Sequence, residues 1–135
     1  MTYVINPPWE ATADRLKSAV ERLVAVAHPR LIILFGSQAR GDADVFSDVD
    51  LLVVEAAVPD RYEEMVRLSR SLRGLLLPVD LLVVSEQEFD RRSETPGTVE
   101  HAARHEGRVL YAARSAQQAA AEGDAGRVGA RTTSE

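Results

Sequence analysis

Short apolar runs alternate with longer amphipathic stretches along this chain, a pattern typical of an α/β domain. In the amphipathic stretches, apolar residues recur every three or four positions, which is the spacing of one helix face. Helices are predicted at residues 9–27, 60–75, 86–92 and 99–105. The apolar runs are short and rich in β-branched residues, as expected of strands. Strands are predicted at residues 31–35, 49–54, 79–84 and 108–111.

One six-residue segment occurs twice. The sequence VDLLVV at residues 49–54 recurs at residues 79–84, and a predicted helix lies between the two copies. Both copies are uninterrupted apolar runs after their acid, as expected of strands that are buried on both faces. A strand, a helix and a second strand predict a parallel pair with a right-handed crossover. In register, Asp50 and Asp80 would lie about 4.8 Å apart at the same end of the two strands.

Length and composition limit the classes of protein to consider. The chain has 135 residues, which is enough for one domain but not for a separate substrate domain. Hydrophobic residues make up 45% and charged residues 27%, as in ordinary globular domains. A net charge of −5 gives no electrostatic basis for non-specific nucleic-acid binding. The chain has no cysteine, which excludes disulfides, thiolate nucleophiles and cysteine-based zinc sites.

The distribution of apolar residues gives two further expectations. No apolar run approaches membrane-spanning length and no secretory signal pattern opens the chain, so we expect a cytoplasmic protein without a membrane partner. From about Ala113 the sequence is rich in Ala, Gly, Ser, Gln and Arg. We therefore expect one domain at residues 1–112 and a flexible or partly helical tail at residues 113–135.

The residues that indicate a chemistry lie at the ends of the predicted strands. Gly36 and Ser37 follow the first strand, and after ten more residues Asp48 and Asp50 open the second. Residues two apart on a strand point to the same side, so Asp48 and Asp50 share one side, and the parallel pairing adds Asp80. Carboxylates that converge in this way are best explained by a cation between them. Carboxylate oxygens combined with a polyphosphate are the usual ligands of Mg²⁺.

Each of these residues also has a simpler interpretation. Ser37 can cap a short helix that Gly41 closes, although the same amides can also hold phosphate oxygens. Gly36 can supply an unusual backbone conformation or allow a phosphate to approach closely. Arg40 can be a solvated surface residue or neutralise phosphate charge. Any one acid can cap a turn or pair with an arginine, but three separate roles of this kind explain the pattern less well than one site.

His101 and His105 are four residues apart and can share one helix face as metal ligands. The chain has no cysteine and no His-Glu-x-x-His pattern. We therefore interpret the two histidines as part of a solvated helix face.

The complete pattern, Gly-Ser-x-Ala-Arg-Gly followed by Ser-Asp-x-Asp-Leu, resembles that of minimal nucleotidyltransferases in the polymerase β-like superfamily. The resemblance covers about residues 30–111, and Asp80 matches the third carboxylate of the superfamily. It implies an α/β protein with the polymerase β-like nucleotidyltransferase fold, a small mixed sheet flanked by helices. Many stand-alone bacterial members are antitoxins that inactivate a HEPN-domain ribonuclease toxin by transferring AMP to a tyrosine hydroxyl.

The resemblance also implies a role for each candidate residue. Gly36, Ser37 and Arg40 would bind the phosphates of ATP. The metal ligands and catalytic residues would be Asp48, Asp50 and Asp80, which would hold two Mg²⁺ ions. The expected function is AMP transfer from ATP to a hydroxyl of a HEPN toxin. Two alternatives remain open, a nucleotide-binding antitoxin that only masks its partner and nucleotidyl transfer to a small molecule or an RNA end. The acceptor and the oligomeric state, as a monomer, homo-oligomer or hetero-oligomer, are also open.

Overall fold

The computed structural model describes residues 8–36, 39 and 48–114, with the side chains of the first helix described from residue 13. The helices are α1 (Pro8–Ala27), α2 (Arg61–Ser71), α3 (Glu86–Arg92) and α4 (Val99–Glu106). The strands are β1 (Leu31–Phe35), β2 (Val49–Glu55), β3 (Val79–Ser85) and β4 (Arg108–Ala112). These bounds match the predicted elements, except that α2 ends at Ser71 instead of continuing to Leu75.

The four described strands form a mixed sheet in the order β3-β2-β1-β4. β2 and β3 are parallel and joined by α2, while β1 runs antiparallel to both β2 and β4. The predicted parallel pair is therefore confirmed, and so is the mixed sheet flanked by helices. The predicted short helix after Gly36 lies outside the described residues except for Ala39, whose amide donates to the Gly36 carbonyl at 3.1 Å.

Helices cover both faces of the sheet, which explains the uninterrupted apolar sequence of β2. Its central residues Leu51 and Val53 pack on the face covered by α1 and α2, and Leu52 and Val54 pack on the face covered by α3 and α4. All four side chains are fully buried. Burial of a side chain of this size stabilises a fold by roughly 1.5–3 kcal/mol. The buried strand therefore holds the residues at its ends in fixed positions.

The spacing of Tyr62, Met65, Val66, Leu68 and Leu72 predicts one apolar stripe along α2, and for Tyr62 this prediction is wrong. Its side chain is 78% exposed, whereas Leu68 is fully buried. At 100° per residue, the two side chains lie about 120° apart around the helix axis, so Tyr62 faces outward when Leu68 faces the sheet.

Within the described residues, no helix is both long enough and apolar enough to cross a bilayer.

Candidate active site

Asp50 and Asp80 lie side by side at one edge of the sheet. They are register partners in the parallel pair of β2 and β3, so the predicted register is confirmed. Neighbouring strands are about 4.8 Å apart. Asp50 is also the register partner of Phe35, the last residue of β1. The end of β1 and the beginnings of β2 and β3 therefore meet at this edge, which we call the acid edge.

Gly36 brings the backbone after β1 into close contact with Asp50. Its φ angle is +78°, in the left-handed region that favours glycine. A Cβ atom at this position would overlap the Oδ2 atom of Asp50. The glycine is thus required both by the backbone conformation and by the closeness of the carboxylate. This confirms the predicted unusual backbone conformation at Gly36.

Asp48 and Asp80 are exposed, whereas Asp50 is half-buried. Asp48 precedes β2 directly, and the next residue, Val49, donates its amide hydrogen to the Pro78 carbonyl at 2.8 Å. This bond fixes the beginning of β2 against the segment that leads into β3. The acid edge is therefore tied together by backbone contacts on both sides of Asp50.

The acids at this edge do not form a complete metal cage by themselves. Among the residues that the structure describes, no three His, Cys, Asp or Glu side chains are grouped as ligands of one ion. Mg²⁺, however, is usually held by one or two carboxylates, with waters and substrate phosphates as its other ligands. Two carboxylates on adjacent strand ends, with a third exposed nearby, fit that mode of binding. Asp50 and Asp80 thus fit the binding of Mg²⁺ together with a triphosphate, and the part of Asp48 as a third ligand stays a prediction.

Ser37, Arg40 and residues 41–47 lie outside the described residues. The roles of Ser37 and Arg40 in phosphate binding therefore stay predictions.

His101 and His105 face each other on α4, with ring centroids 4.1 Å apart. His105 is exposed and His101 is half-buried. Neither belongs to a group of three metal-binding side chains in the described part of the chain.

The sequence matches the family model of the nucleotidyltransferase domain over residues 13–115. This match includes the described acid edge and the three strands whose ends form it, β1, β2 and β3. The chain belongs to the nucleotidyltransferase domain family. The resemblance drawn from the glycine and aspartate pattern is thus confirmed at the level of the family.

Solved structures extend this assignment of a nucleotidyltransferase fold. A candidate nucleotidyltransferase from Sulfolobus solfataricus is 32% identical, with a TM-score of 0.50 over 67% of this chain and 85% of that one. No curated protein matches the chain.

Two toxin–antitoxin complexes also resemble this nucleotidyltransferase, more weakly. A chain of a complex with AMP-PNP is 21% identical, with a TM-score of 0.43 over 82% of this chain and 91% of that one. A chain of the complex between a tri-AMPylated Shewanella oneidensis HEPN toxin and an MNT antitoxin is 19% identical, with a TM-score of 0.44 over 89% and 85%. Similarity at this level says nothing about what the present chain binds or modifies.

A second group of charged residues lies at the other end of β2 and was not predicted from the sequence. Glu55 is only 8% exposed, and its Oε2 atom has no hydrogen-bond partner among the described residues. Burial, followed by a hydrogen bond and charge repulsion from Glu64, raises the pKa of Glu55 to about 8. The pKa of Glu64 is lowered, chiefly because Arg67 donates hydrogen bonds to it at 2.7 and 3.0 Å.

The sequence signal for this group is an acid that ends an otherwise apolar strand. Glu55 lies five residues after Asp50 along β2, which corresponds to a distance of about 17 Å between their Cα atoms. The Glu55 group is therefore a feature of the packing between β2 and α2 and no part of the acid edge.

Proposed function

We propose that this nucleotidyltransferase transfers AMP from ATP to a tyrosine hydroxyl of a HEPN ribonuclease toxin and thereby acts as its antitoxin. Membership of the family supports nucleotidyl transfer as the type of reaction. The glycine and aspartate pattern does not by itself select the acceptor. The resemblance to stand-alone bacterial members, many of which are antitoxins, supports a protein as the acceptor. The observation that carries the proposal is the register pairing of Asp50 with Asp80 beside the Gly36 turn.

In this proposal the turn after β1 binds the triphosphate. The missing side chain at Gly36 lets the backbone of this turn lie against Asp50, and Ser37 and Arg40 would donate hydrogen bonds to the phosphate oxygens. Asp48, Asp50 and Asp80 would hold two Mg²⁺ ions, which neutralise the phosphates and lower the pKa of the acceptor hydroxyl when bound. The chain would then orient the α-phosphorus of ATP toward the exposed side of Asp80.

The proton of the acceptor hydroxyl would move to Asp80. The acceptor oxygen forms a bond to the α-phosphorus, the bond from that phosphorus to the β-phosphate bridging oxygen breaks, and pyrophosphate leaves. Of the two register partners, Asp80 is the better placed general base because it is exposed at the acid edge, whereas Asp50 is half-buried against Gly36. General-base assistance is typically worth about 10²–10⁴-fold in rate.

The test begins with a search for a HEPN protein encoded beside this gene and then measures the intact mass of that protein after incubation with ATP and the wild-type chain or a variant. We expect the wild type to add AMP in Mg²⁺ and none in EDTA. Asp80→Asn should keep most ATP affinity and lose transfer by at least about 10²-fold, because the base is removed while the triphosphate contacts remain. Asp48→Asn should weaken the binding of Mg-ATP as well, measured by calorimetry.

Asp90→Asn is the matched control, since Asp90 is an exposed aspartate on α3 and away from the acid edge. It should behave like the wild type in both assays. Growth rescue of cells that carry the toxin separates transfer from masking. If Asp80→Asn rescued growth fully with no increase in the mass of the toxin, the transfer proposal would be wrong and the masking alternative correct.

A further inference from the structure

One exposed leucine and three arginines form a surface next to the acid edge. Leu76 lies in the loop between α2 and β3, and its side chain is 79% exposed. Arg15 and Arg22 project from α1 onto this loop, and Arg73 belongs to it; all three are exposed. We call Leu76 together with these three arginines the Leu76 surface.

The backbone of Leu76 is strained, and contacts from another helix hold it in place. Its φ angle is +58°, a conformation that costs a non-glycine residue about 1–2 kcal/mol. Arg15 donates from its Nη1 atom to the Leu76 carbonyl at 3.4 Å. Arg22 donates from Nη1 to the carbonyls of Ser71 and Arg73 at 3.3 and 3.0 Å. The fold therefore holds a leucine in a strained conformation with its side chain in water.

The side chain of Leu76 in this conformation adds nothing to the stability of the core. A leucine stabilises a fold when its side chain is buried, and Leu76 is almost fully exposed. Gly74, two residues earlier, shows that glycine occurs in the same loop where φ is positive. Residues with strain of this kind cluster at active sites, ligand clamps and switch regions. The conformation of Leu76 thus indicates a contact with another molecule.

The charge of the surface indicates the chemistry of that molecule. Arg15, Arg22 and Arg73 form no ion pair within the part of the chain that the structure describes. The guanidinium groups of Arg15 and Arg22 therefore reach the loop that carries Arg73, on a chain whose net charge is −5. Such a patch attracts carboxylates or phosphates, and the exposed leucine at its centre favours an apolar side chain. An acidic protein segment with an apolar residue provides both. A single-stranded RNA stacks its bases chiefly on aromatic side chains, and the Leu76 surface as defined contains none.

The Leu76 surface is continuous with the acid edge. Leu76 precedes Asp80 by four residues, so their Cα atoms are at most about 14 Å apart. Pro78, between them, accepts the backbone hydrogen bond from Val49 at the beginning of β2. A protein bound at Leu76 can therefore place a side chain beside Asp80.

We propose that the Leu76 surface binds the acceptor protein of the nucleotidyl transfer. The bound segment carries an apolar side chain that packs on Leu76 and carboxylates that pair with the arginines, and it presents the acceptor hydroxyl to Asp80. This inference rests on the proposed function in taking the acceptor to be a protein. It adds the surface that selects the acceptor and the charge that the acceptor must have.

The test combines binding and transfer, with the HEPN protein used in the test of the proposed function as the probe. Leu76→Asn removes the apolar side chain, and asparagine tolerates positive φ, so the loop is kept. Arg73→Gln removes one charge and leaves the Arg73 carbonyl free to accept from Arg22. Each variant should raise the dissociation constant and the KM for the partner at least about tenfold. The KM for ATP and the kcat at saturating partner should stay within about twofold of the wild type, because only acceptor binding is affected.

Val109→Asn is the matched control, since Val109 is also an exposed apolar residue, at 59%, but lies on β4, at the edge of the described sheet opposite β3. It should leave both constants unchanged. Binding to Arg73→Gln should also depend less on salt concentration than binding to the wild type.

The binding arm separates this inference from the proposed function. If the partner binds the wild type and loses affinity for both variants, yet never gains AMP, the docking surface is correct and the transfer is wrong. If AMP is transferred and both variants bind like the wild type, the docking surface is wrong and the transfer stands. If the partner does not bind, and a short single-stranded RNA binds the wild type but not Arg73→Gln, the surface recognises nucleic acid and the inference is overturned.

Discussion

At the scale of single residues, the contact between Gly36 and Asp50 determines where the half-buried carboxylate of the acid edge lies. The glycine adopts a φ of +78°, and its α-carbon lies so close to the Asp50 carboxylate that a Cβ would overlap it. Asp50 is held in turn by its strand, which is buried from Leu51 onward. The position of this carboxylate is therefore set by backbone geometry on one side and by the core on the other.

We expect Gly36→Ala to displace the Asp50 carboxylate and to lower nucleotidyl transfer by at least about tenfold, because positioning errors near 1 Å have large effects on rate. Gly97→Ala is the control, since Gly97 also has a positive φ, +93°, but a Cβ there would meet nothing within 4 Å. Both variants should lose about 1–2 kcal/mol of unfolding free energy from backbone strain. Thermal melts and Mg-ATP calorimetry check this. Equal loss of ATP binding in the two variants would contradict a specific role for Gly36.

At the scale of elements, the packing of α2 on the sheet brings Asp80 beside Asp50. Asp60 caps the helix by accepting from the Glu63 amide at 3.0 Å, and Leu68 is fully buried against the sheet. At the other end of α2, Arg22 of α1 donates to the carbonyls of Ser71, the last residue of the helix, and of Arg73. The helix thus crosses over the sheet with both ends fixed, and this returns the chain to the beginning of β3 in register with β2.

The group of Glu55, Glu64 and Arg67 joins β2 to α2, and Arg67 continues the connection to α1 by donating to the Val26 carbonyl at 3.1 Å. The hydrogen bond between the two carboxyl groups requires a proton, and burial favours the neutral form of Glu55. Contact between these elements therefore depends on the protonation of one buried acid.

This group predicts a stability that falls with rising pH. The pKa of Glu55 is about 8 in the folded protein and 4.5 as its ordinary value, so the folded state binds more protons between these values. Its contribution to stability is complete below pH 4.5 and is lost as pH rises to about 8, at no more than about 1.4 kcal/mol per pH unit. The lowered pKa of Glu64 acts in the opposite direction, below pH 4.5.

Glu55→Gln should flatten the dependence of unfolding free energy on pH between 4.5 and 8, because an amide stays neutral in the buried position. Glu63→Gln, an exposed position one residue from Glu64, should leave the dependence as in the wild type. Urea unfolding at several pH values measures both. A slope that persists in Glu55→Gln would place the titrating group elsewhere.

At the scale of the whole molecule, we propose a domain that ends with β4. The family match ends at residue 115, and the Ala113 amide still donates to the Arg30 carbonyl at 2.9 Å. The sequence beyond that point is rich in small and polar residues. In the described sheet, β4 is the edge strand that pairs with β1. We therefore expect the fold to require the residues up to β4 and few beyond it.

A chain that ends at Arg114 should therefore keep its fold and its affinity for Mg-ATP. We expect the melting temperature to fall by less than about 4 °C, which corresponds to less than about 1 kcal/mol for a domain of this size. A chain that ends at Glu106 lacks β4 and should lose cooperative unfolding, because β1 then becomes an edge strand. Thermal melts by circular dichroism test both. Loss of the cooperative transition in the longer chain would show that residues 115–135 are part of the domain.

The elements and the acid pattern were determined by the sequence itself. The repeated VDLLVV segment predicted two adjacent parallel strands, and their register placed Asp50 beside Asp80, as the structure confirms. This was predictable because strand periodicity and the crossover connection are properties of neighbouring residues. The glycine and aspartate pattern likewise indicated the family, since that pattern is short and lies within two consecutive loops and strands.

Contacts between segments that are distant in the sequence were decided only by the tertiary structure. Four features depend on which face of each element meets another. They are the strand order β3-β2-β1-β4, the overlap of a Gly36 Cβ with Asp50, the burial of Glu55 and the exposure of Tyr62. The same holds for Leu76, whose carbonyl accepts from Arg15, 61 residues away along the chain. Local periodicity specifies a helix or a strand, but the packing of the whole chain decides which side chains remain in water.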